Sequence, residues 1–229
     1  LFTGDAGSGA SAIRRYVIEG DLVEAIIQLP SELFYNTGIS TYIWVLTRGK
    51  DLHRGGKIQL IDASRCFVKR RKNIGSKRVD LDDACIDLIL RAYEEFSNET
   101  YEENGLVVES KVFDNSYFGF TKVTVETAQA DKDGKPVLKK GKYQPVKGAS
   151  DTEIIPLQDD IDEYMKKNVL PYNPLAYIDP AKDKIGYEVP FTRLFYKFVA
   201  PQSSAAIFED IKTLEAEETI LMKELFGHV

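Results

Sequence analysis

The chain has 229 residues, 43% of them hydrophobic, and a net charge of −6, which suits one large or two small domains with a buried core and excludes a generic, uniformly basic nucleic-acid binder. No apolar run nears the roughly 20 residues of a membrane-spanning helix, and the opening LFTGDAGSGASAIRR lacks the basic-then-apolar pattern of a secretory leader. Two cysteines (Cys66, Cys85) and two distant histidines (His53, His228) predict no disulfide framework, no histidine metal site and no His-dependent hydrolase, and make a cytoplasmic chain the default.

The small, Gly-rich residues 1–9 lead into a helix capped by Ser8 or Ser11 and running through Glu19, with Gly20 as its stop. Ile13, Tyr16 and Val17 would form its buried face. LVEAIIQL (Leu22 to Leu29) and TYIWVL (Thr41 to Leu46) are short, rich in β-formers and nearly continuous in apolar residues, the pattern of central strands covered on both faces. KIQLIDA (Lys57 to Ala63) predicts a further strand, so this end of the chain reads as part of an α/β sheet. A basic loop comes next, RCFVKRRKNIGSKR, in which Arg65, Lys69, Arg70, Arg71, Lys72, Lys77 and Arg78 occur without an acid. A helix is expected from about Leu81 to Phe96, capped by Asp80, with Leu81, Cys85, Leu88, Ile89, Ala92, Tyr93 and Phe96 on one face.

Residues 107–147 predict β-hairpins, with Asp133-Gly134 as a turn and Lys139, Lys140 and Lys142 on a solvated face. Asp151 to Asn168 holds a short acidic helix, and Pro171, Pro174 and Pro180 make the next stretch an extended connection. The aromatic-rich YEVPFTRLFYKF (Tyr187 to Phe198) is expected to pack on the main body. A long helix closes the chain, about Ser203 to Phe226. Ile207, Ile211, Leu214, Leu221 and Leu225 recur on it at 4-3 spacing, with Glu218 interrupting the seam.

Three features invite chemistry. GDAGSGAS (Gly4 to Ser11) suggests a phosphate loop, yet it lacks the Lys-Ser/Thr of a Walker A loop and the spacing of a dinucleotide fingerprint, so a lead-in to a capped helix is the better reading. The seven cations of the basic loop repel one another, and either phosphate or acids elsewhere on the chain would balance them. Phe34 and Tyr35 stand side by side in the connection between two strands. They either cap the end of the sheet or offer a face to a planar ligand such as an extruded nucleobase. The acidic pairs Asp82-Asp83 and Asp159-Asp160 sit at helix starts, where the helix dipole suffices to explain them.

GSGASAIRRYVIEGDLVEAIIQLPSELFYNTGISTYIWVLTRGK, the subsequent GGKIQLIDAS, SKVFDNSYFGFTKVTVE and IGYEVPFTRLFYKF together resemble the modification (M) subunit of type I restriction–modification systems. Members of that family are S-adenosylmethionine-dependent adenine-N6 DNA methyltransferases. The resemblance runs over nearly the whole chain and is most specific in the first stretch. The family's catalytic Asn-Pro-Pro-Tyr/Phe motif and its Gly-containing cofactor motif do not occur here; Leu170-Pro171-Tyr172 and Asn173-Pro174 lack the required order. The resemblance therefore implies the C-terminal part of such a subunit, as a chain beginning at Leu1 rather than Met would suit. It implies an α/β fold: the last strands of a Rossmann-like methyltransferase sheet as an antiparallel hairpin (residues 1–64), an α+β extension with the basic loop and β-hairpins (65–200) and a docking helix (201–229).

The same resemblance implies that Phe34, with Tyr35 as second choice, stacks on the extruded adenine. It lends weight to Lys69, Arg70, Arg71, Lys72, Lys77 and Arg78 as contacts to the double-stranded DNA backbone. It gives Ile207, Ile211, Leu214, Leu221 and Leu225 the specificity subunit as partner, within a complex that also holds the restriction subunit and no membrane. The intact protein would use S-adenosylmethionine; this chain alone is expected to carry no catalytic residue, no metal, no cofactor and no activity. Two other readings stand beside it: a non-enzymatic module that contacts DNA and the specificity subunit, and an unrelated nucleotide-binding α/β protein resting on the Gly-rich start.

Overall fold

The computed structural model describes residues 2–227. The chain forms two compact units, Leu1–Phe191 and Thr192–Val229. His228 lies outside the described residues.

Helix α1 (Gly9–Glu19) starts at Ser8, whose hydroxyl accepts the Ser11 N–H at 3.2 Å, and ends at Gly20. The Gly-rich lead-in thus serves the cap. The inward face differs from the expected one. Ser11, Arg14 and Ile18 are buried, Ile13 and Tyr16 are 57% and 72% exposed, and Val17 is half-buried. The reason is polar. The Arg14 guanidinium donates to the carbonyls of Thr3, Gly4 and Tyr187, and the Ser11 hydroxyl accepts the Tyr187 N–H at 3.0 Å. Backbone groups that must be satisfied when buried have pulled two polar side chains inward.

Strands β1 (Val23–Gln28) and β2 (Tyr42–Leu46) form the expected antiparallel hairpin, with Ile26 opposite Trp44 and Gln28 opposite Tyr42. Strand β3 (Lys57–Arg65) lies parallel to β1 on its other side. Where a basic loop was expected, two strands form a hairpin of their own, β4 (Val68–Ile74) and β5 (Lys77–Asp80). Helix α2 (Asp83–Glu95) comes next, and then a second hairpin of β6 (Thr100–Glu103) and β7 (Leu106–Asp114), turned by Asn104-Gly105. The resulting five-stranded sheet has the order β2-β1-β3-β7-β6, and only the β1–β3 pair is parallel.

Strands β1 and β3 are covered on both faces, as their continuous apolar character requires. Ile27 and Ile61 join one cluster with Leu88, Ile89, Ala92 and Val108, while Ile26 and Leu60, pointing the other way, are also fully buried. Strand β2 departs from the expectation of a central strand. It stands at the sheet's edge, pairs only with β1 among the described residues, and leaves Ile43 and Leu46 about half exposed.

Helix α2 presents the expected face, with Cys85, Leu88, Ile89 and Ala92 buried. Each buried Leu or Ile contributes about 1.5–3 kcal/mol. Its N-cap is Asp82, not Asp80: the Asp82 carboxylate accepts the Cys85 N–H at 2.9 Å, while Asp80 is engaged by cations of the hairpin. At the other end Arg54, 5% exposed, donates to the carbonyls of Tyr93 and Glu94. Its guanidinium lies 4.5 Å from the ring centres of both Tyr93 and Phe96 and 3.2 Å from Glu24. One cation therefore closes the negative end of a helix dipole and ties it to β1. Gln59 does the neighbouring task, donating to Ala92 O at 2.7 Å and Ser110 Oγ at 2.9 Å.

A second sheet is built on β8 (Gly119–Ala128). After β8 come a small exposed hairpin, β9 (Leu138–Lys139) with β10 (Lys142–Tyr143), then β11 (Pro145–Pro156). Strand β11 takes the first residues of the acidic stretch, and the short helix expected within that stretch is α3 (Ile161–Tyr164), continued by a π turn (Met165–Val169). Strands β12 (Ala176–Ile178) and β13 (Lys184–Tyr187) pair one after the other along the far side of β8. Val123, Val125, Ile155, Met165 and Val169 form this sheet's core. Phe2, Tyr42 and Phe191 form an aromatic cluster with Trp44, at centroid distances of 4.4 to 6.3 Å.

Helix α4 (Phe191–Phe195) begins with buried Phe191; further along the aromatic run, Leu194 and Phe195 are half-buried and Tyr196 and Phe198 are exposed. In the second unit, α5 (Ser204–Phe226) starts at Ser203, whose hydroxyl accepts the Ala206 N–H at 3.2 Å. Every residue of this helix is exposed. Ile207, Ile211, Leu214, Leu221 and Leu225 are 45 to 74% exposed.

Arg54→Met is expected to destabilise the fold by about 3 kcal/mol, because it leaves the Glu24 carboxylate with the Tyr93 hydroxyl but no cation and takes the donor from the last carbonyls of α2. Urea denaturation measures it, with fully exposed Leu52→Ala as the neutral control. A loss no greater than that of the control would show that Arg54 does not close the helix.

Candidate nucleic-acid interface

The connection from β1 to β2 is rooted in the core and bare at its tip. Leu29, Pro30 and Leu33 are buried, while Phe34 and Tyr35 are 45% and 57% exposed. A single bridge pairs Phe34 with Thr37, and the Thr37 hydroxyl accepts the Ile39 N–H at 3.3 Å, so the chain reverses tightly just after the two rings. Ile39 adds a further exposed apolar side chain.

The basic hairpin is fastened to this connection. Its two-residue turn, Gly75-Ser76, needs a positive φ, and Gly75 supplies +59°. A Cβ at Gly75 would stand 2.6 Å from the Tyr35 carbonyl oxygen. That oxygen accepts the Ser76 N–H at 2.9 Å, and two residues on, the Arg78 N–H donates to the Glu32 carbonyl at 2.9 Å. Alternate amides, of Ser76 in the turn and Arg78 in β5, thus pair with the aromatic connection as they would with another strand. Buried Val79 anchors the hairpin beneath.

The cations divide into two groups. Arg70 and Lys77 both hold Asp80, at 2.6 and 2.9 Å, and Arg78 faces Glu32 at 3.5 Å. Lys77, with Arg70 behind it, keeps the Asp80 carboxyl below the usual carboxylate range. The Lys77 ammonium also lies 5.6 Å from the centre of the Tyr35 ring. Arg65, Lys69, Arg71 and Lys72 are exposed and have no acidic partner among the described residues. Acids of the chain balance three of the seven cations, as one reading of the basic stretch expected, and four face solvent.

The linkage between tip and ring was not anticipated from the sequence. Gly75-Ser76 between two short runs is a hairpin signal, but nothing local reveals that the turn seats on Tyr35. The docking residues proposed on the last helix are far along the chain from this site and belong to the second unit. Lys139, Lys140 and Lys142 are exposed, as expected of a solvated face.

The sequence profile of the N-6 DNA methylase family matches residues 1–133, more than half of the chain. The chain belongs to that family. The matched region includes both sheet strands of the hairpin, the aromatic connection and the basic hairpin. Among relatives of this chain, the type I restriction enzyme MjaIX methylase subunit of Methanocaldococcus jannaschii is 30% identical over 164 residues, 71% of this chain and 26% of that protein. The HindI methylase subunit of Haemophilus influenzae is 33% identical over 132 residues, 56% of this chain and 29% of that protein. The MjaVIII methylase subunit of M. jannaschii is 36% identical over 92 residues, 40% of this chain and 16% of that protein. The chain thus spans under a third of the length of these relatives. The crystal structure of a type I restriction-modification system methyltransferase subunit from Streptococcus thermophilus aligns with 52% of this chain and 21% of its own, at 24% identity and a TM-score of 0.41.

Asp80 gives the hairpin a pH signature. Its folded pKa lies below the unfolded value of about 3.9. The pairing is therefore complete above about pH 4 and is lost as pH falls through the lower folded value. Hydrogen exchange at Lys69 and Val79 is expected to speed up relative to intrinsic rates in that acid window. Asp80→Asn should be less protected already at neutral pH and show no acid step. Equal protection in the two proteins would separate Asp80 from the hairpin's stability.

Proposed function

We infer that this N-6 DNA methylase chain is the C-terminal part of the methylase subunit of a type I restriction–modification system, whose intact form methylates adenine N6 in DNA. The observation that carries this reading is the pair of exposed rings at the end of β1, held against a hairpin with unpaired cations. An adenine taken out of a duplex needs an apolar face, and the phosphates on either side of it need positive charge. Phe34 is the first choice for that face. Tyr35 is partly committed through its carbonyl and through Lys77 beside its ring.

The chain's own residues hold and orient the base and exclude water from one of its faces. The methyl donor, S-adenosylmethionine, does not fit the Gly-rich segment here. Arg14 occupies the carbonyls of Thr3 and Gly4, and the Ser8 cap takes the first turn of α1. The cofactor and the groups that orient the adenine amino group are therefore assigned to the remainder of the full-length subunit, and this chain alone is inactive. The open edge of β2 supports that division, since its unpaired backbone and half-exposed Ile43 and Leu46 can receive a further strand.

The second unit points to partners. The exposed 4-3 seam of α5 suits helices of the specificity subunit, in a cytoplasmic complex with the restriction subunit and double-stranded DNA. That same seam favours an assembly role beside the enzymatic one.

Phe34→Ala in the full-length subunit is expected to lose about 1–3 kcal/mol of base stacking. Fluorescence of 2-aminopurine at the target position and the methylation rate should both fall, with the complex still assembled. No change in either would return Phe34 to a packing role. Leu214→Asp with Leu221→Asp should abolish copurification with the specificity subunit while the first unit keeps its circular dichroism. Retained copurification would remove α5 as the docking element.

A further inference from the structure

The hairpin is more than a charged surface beside the aromatic connection. Residues Lys69 and Arg71 are exposed on β4, whereas Arg70 between them is partly buried and holds Asp80. An irregularity in register between Lys69 and Ile74 interrupts the regular ladder, and Lys72 too is exposed. Three cations without acidic partners among the described residues therefore stand on one short strand, while the paired ones brace it. That strand is joined through a two-residue turn to the carbonyl of Tyr35, the residue after Phe34 in the chain. Two backbone hydrogen bonds and a glycine that tolerates no side chain fix this junction.

We propose that the β4–β5 hairpin is a positioning arm, in which Lys69, Arg71 and Lys72 take phosphates of the DNA backbone and the Gly75-Ser76 tip fixes where the Phe34 ring stands relative to them. The proposal rests on the base-stacking reading above and adds to it a division of labour. Lys69, Arg71 and Lys72 bind; Arg70, Lys77 and Arg78 shape the arm; Gly75 and Ser76 are positioning residues that touch neither DNA nor base. Rigid mounting matters because a stacking ring displaced by about 1 Å loses much of its effect. A lysine on a free loop would add affinity without placing anything.

The test uses the full-length subunit in its assembled complex, on a duplex with 2-aminopurine at the methylated position. Two quantities are read: the salt dependence of binding, and the fluorescence at saturating DNA. Replacing Lys69, Arg71 and Lys72 together by Gln is expected to reduce the slope of log K against log salt by about 3, at about 0.9 per phosphate, and to lower the saturating fluorescence severalfold. Gly75→Ala should leave the slope nearly unchanged and still lower the fluorescence severalfold. An unchanged slope in the triple variant overturns the phosphate contacts. A reduced slope with full fluorescence overturns the positioning role and leaves a simple tether. Should Gly75→Ala lose its cooperative melt, the triple variant, altered only at exposed side chains, decides the matter alone. Phe34→Ala in parallel separates the two layers. If it extrudes the base normally, the stacking reading fails and this proposal with it; if it does not, while Gly75→Ala does, only the positioning arm fails.

Discussion

The carbonyl oxygen of Tyr35 sets the geometry of the site. It accepts the Ser76 N–H, and it approaches Gly75 so closely that any Cβ there would collide with it. This contact makes one body of two segments that the chain separates by some forty residues, the aromatic connection and the basic hairpin. Without it, the connection would keep its root at Leu29 and Leu33 and the Arg78–Glu32 hydrogen bond, but the residue after Phe34 would lose its tie to the hairpin. With it, the ring sits on backbone hydrogen-bonded on both sides, the kind of mounting a recognition surface needs.

The mounting in turn depends on how the sheet is ordered. Strand β1 is sandwiched between antiparallel β2 and parallel β3, so its carboxyl end is fixed and the connection leaves from a rigid point. Asp21 secures the entry to the same strand. It accepts from Lys50 at 2.5 Å, Asn115 at 2.8 Å and the Gly56 N–H at 3.0 Å. Burial alone would raise its pKa, but these donors outweigh burial and hold it below the usual range. On the outer side, β2 offers an unpaired edge, and α1 turns Ile13 and Tyr16 to solvent. Under the proposed function, both surfaces meet the rest of the methylase subunit.

Legibility from sequence tracked the kind of force at work. Helix α2 and the closing helix were readable from apolar periodicity, and strands β1 and β3 from short, nearly continuous apolar runs. The inward face of α1 was not, because Arg14 and Ser11 go inside to satisfy carbonyls and an amide from residues 3, 4 and 187, which no local pattern encodes. Asp80 looked like a cap and is instead a counter-ion. The choice between it and Asp82 turns on where Arg70 and Lys77 fall once the hairpin forms. Composition gave the charge of the basic stretch, but its strand structure was hidden by the very lysines and arginines that the function would use. The family resemblance, carried by the residues around Phe34, was legible at once, and the match over residues 1–133 agrees with it.

The central claim is that the ring of Phe34 forms one wall of a pocket for an adenine rotated out of DNA. A structure of the full-length subunit in its complex with specific duplex DNA tests it most directly. The account predicts the target adenine outside the helix, its face against the Phe34 ring at about 3.5–4 Å, with phosphates near Lys69, Arg71 and Lys72. An extruded adenine stacked on some other side chain, with Phe34 turned into the protein, would contradict it.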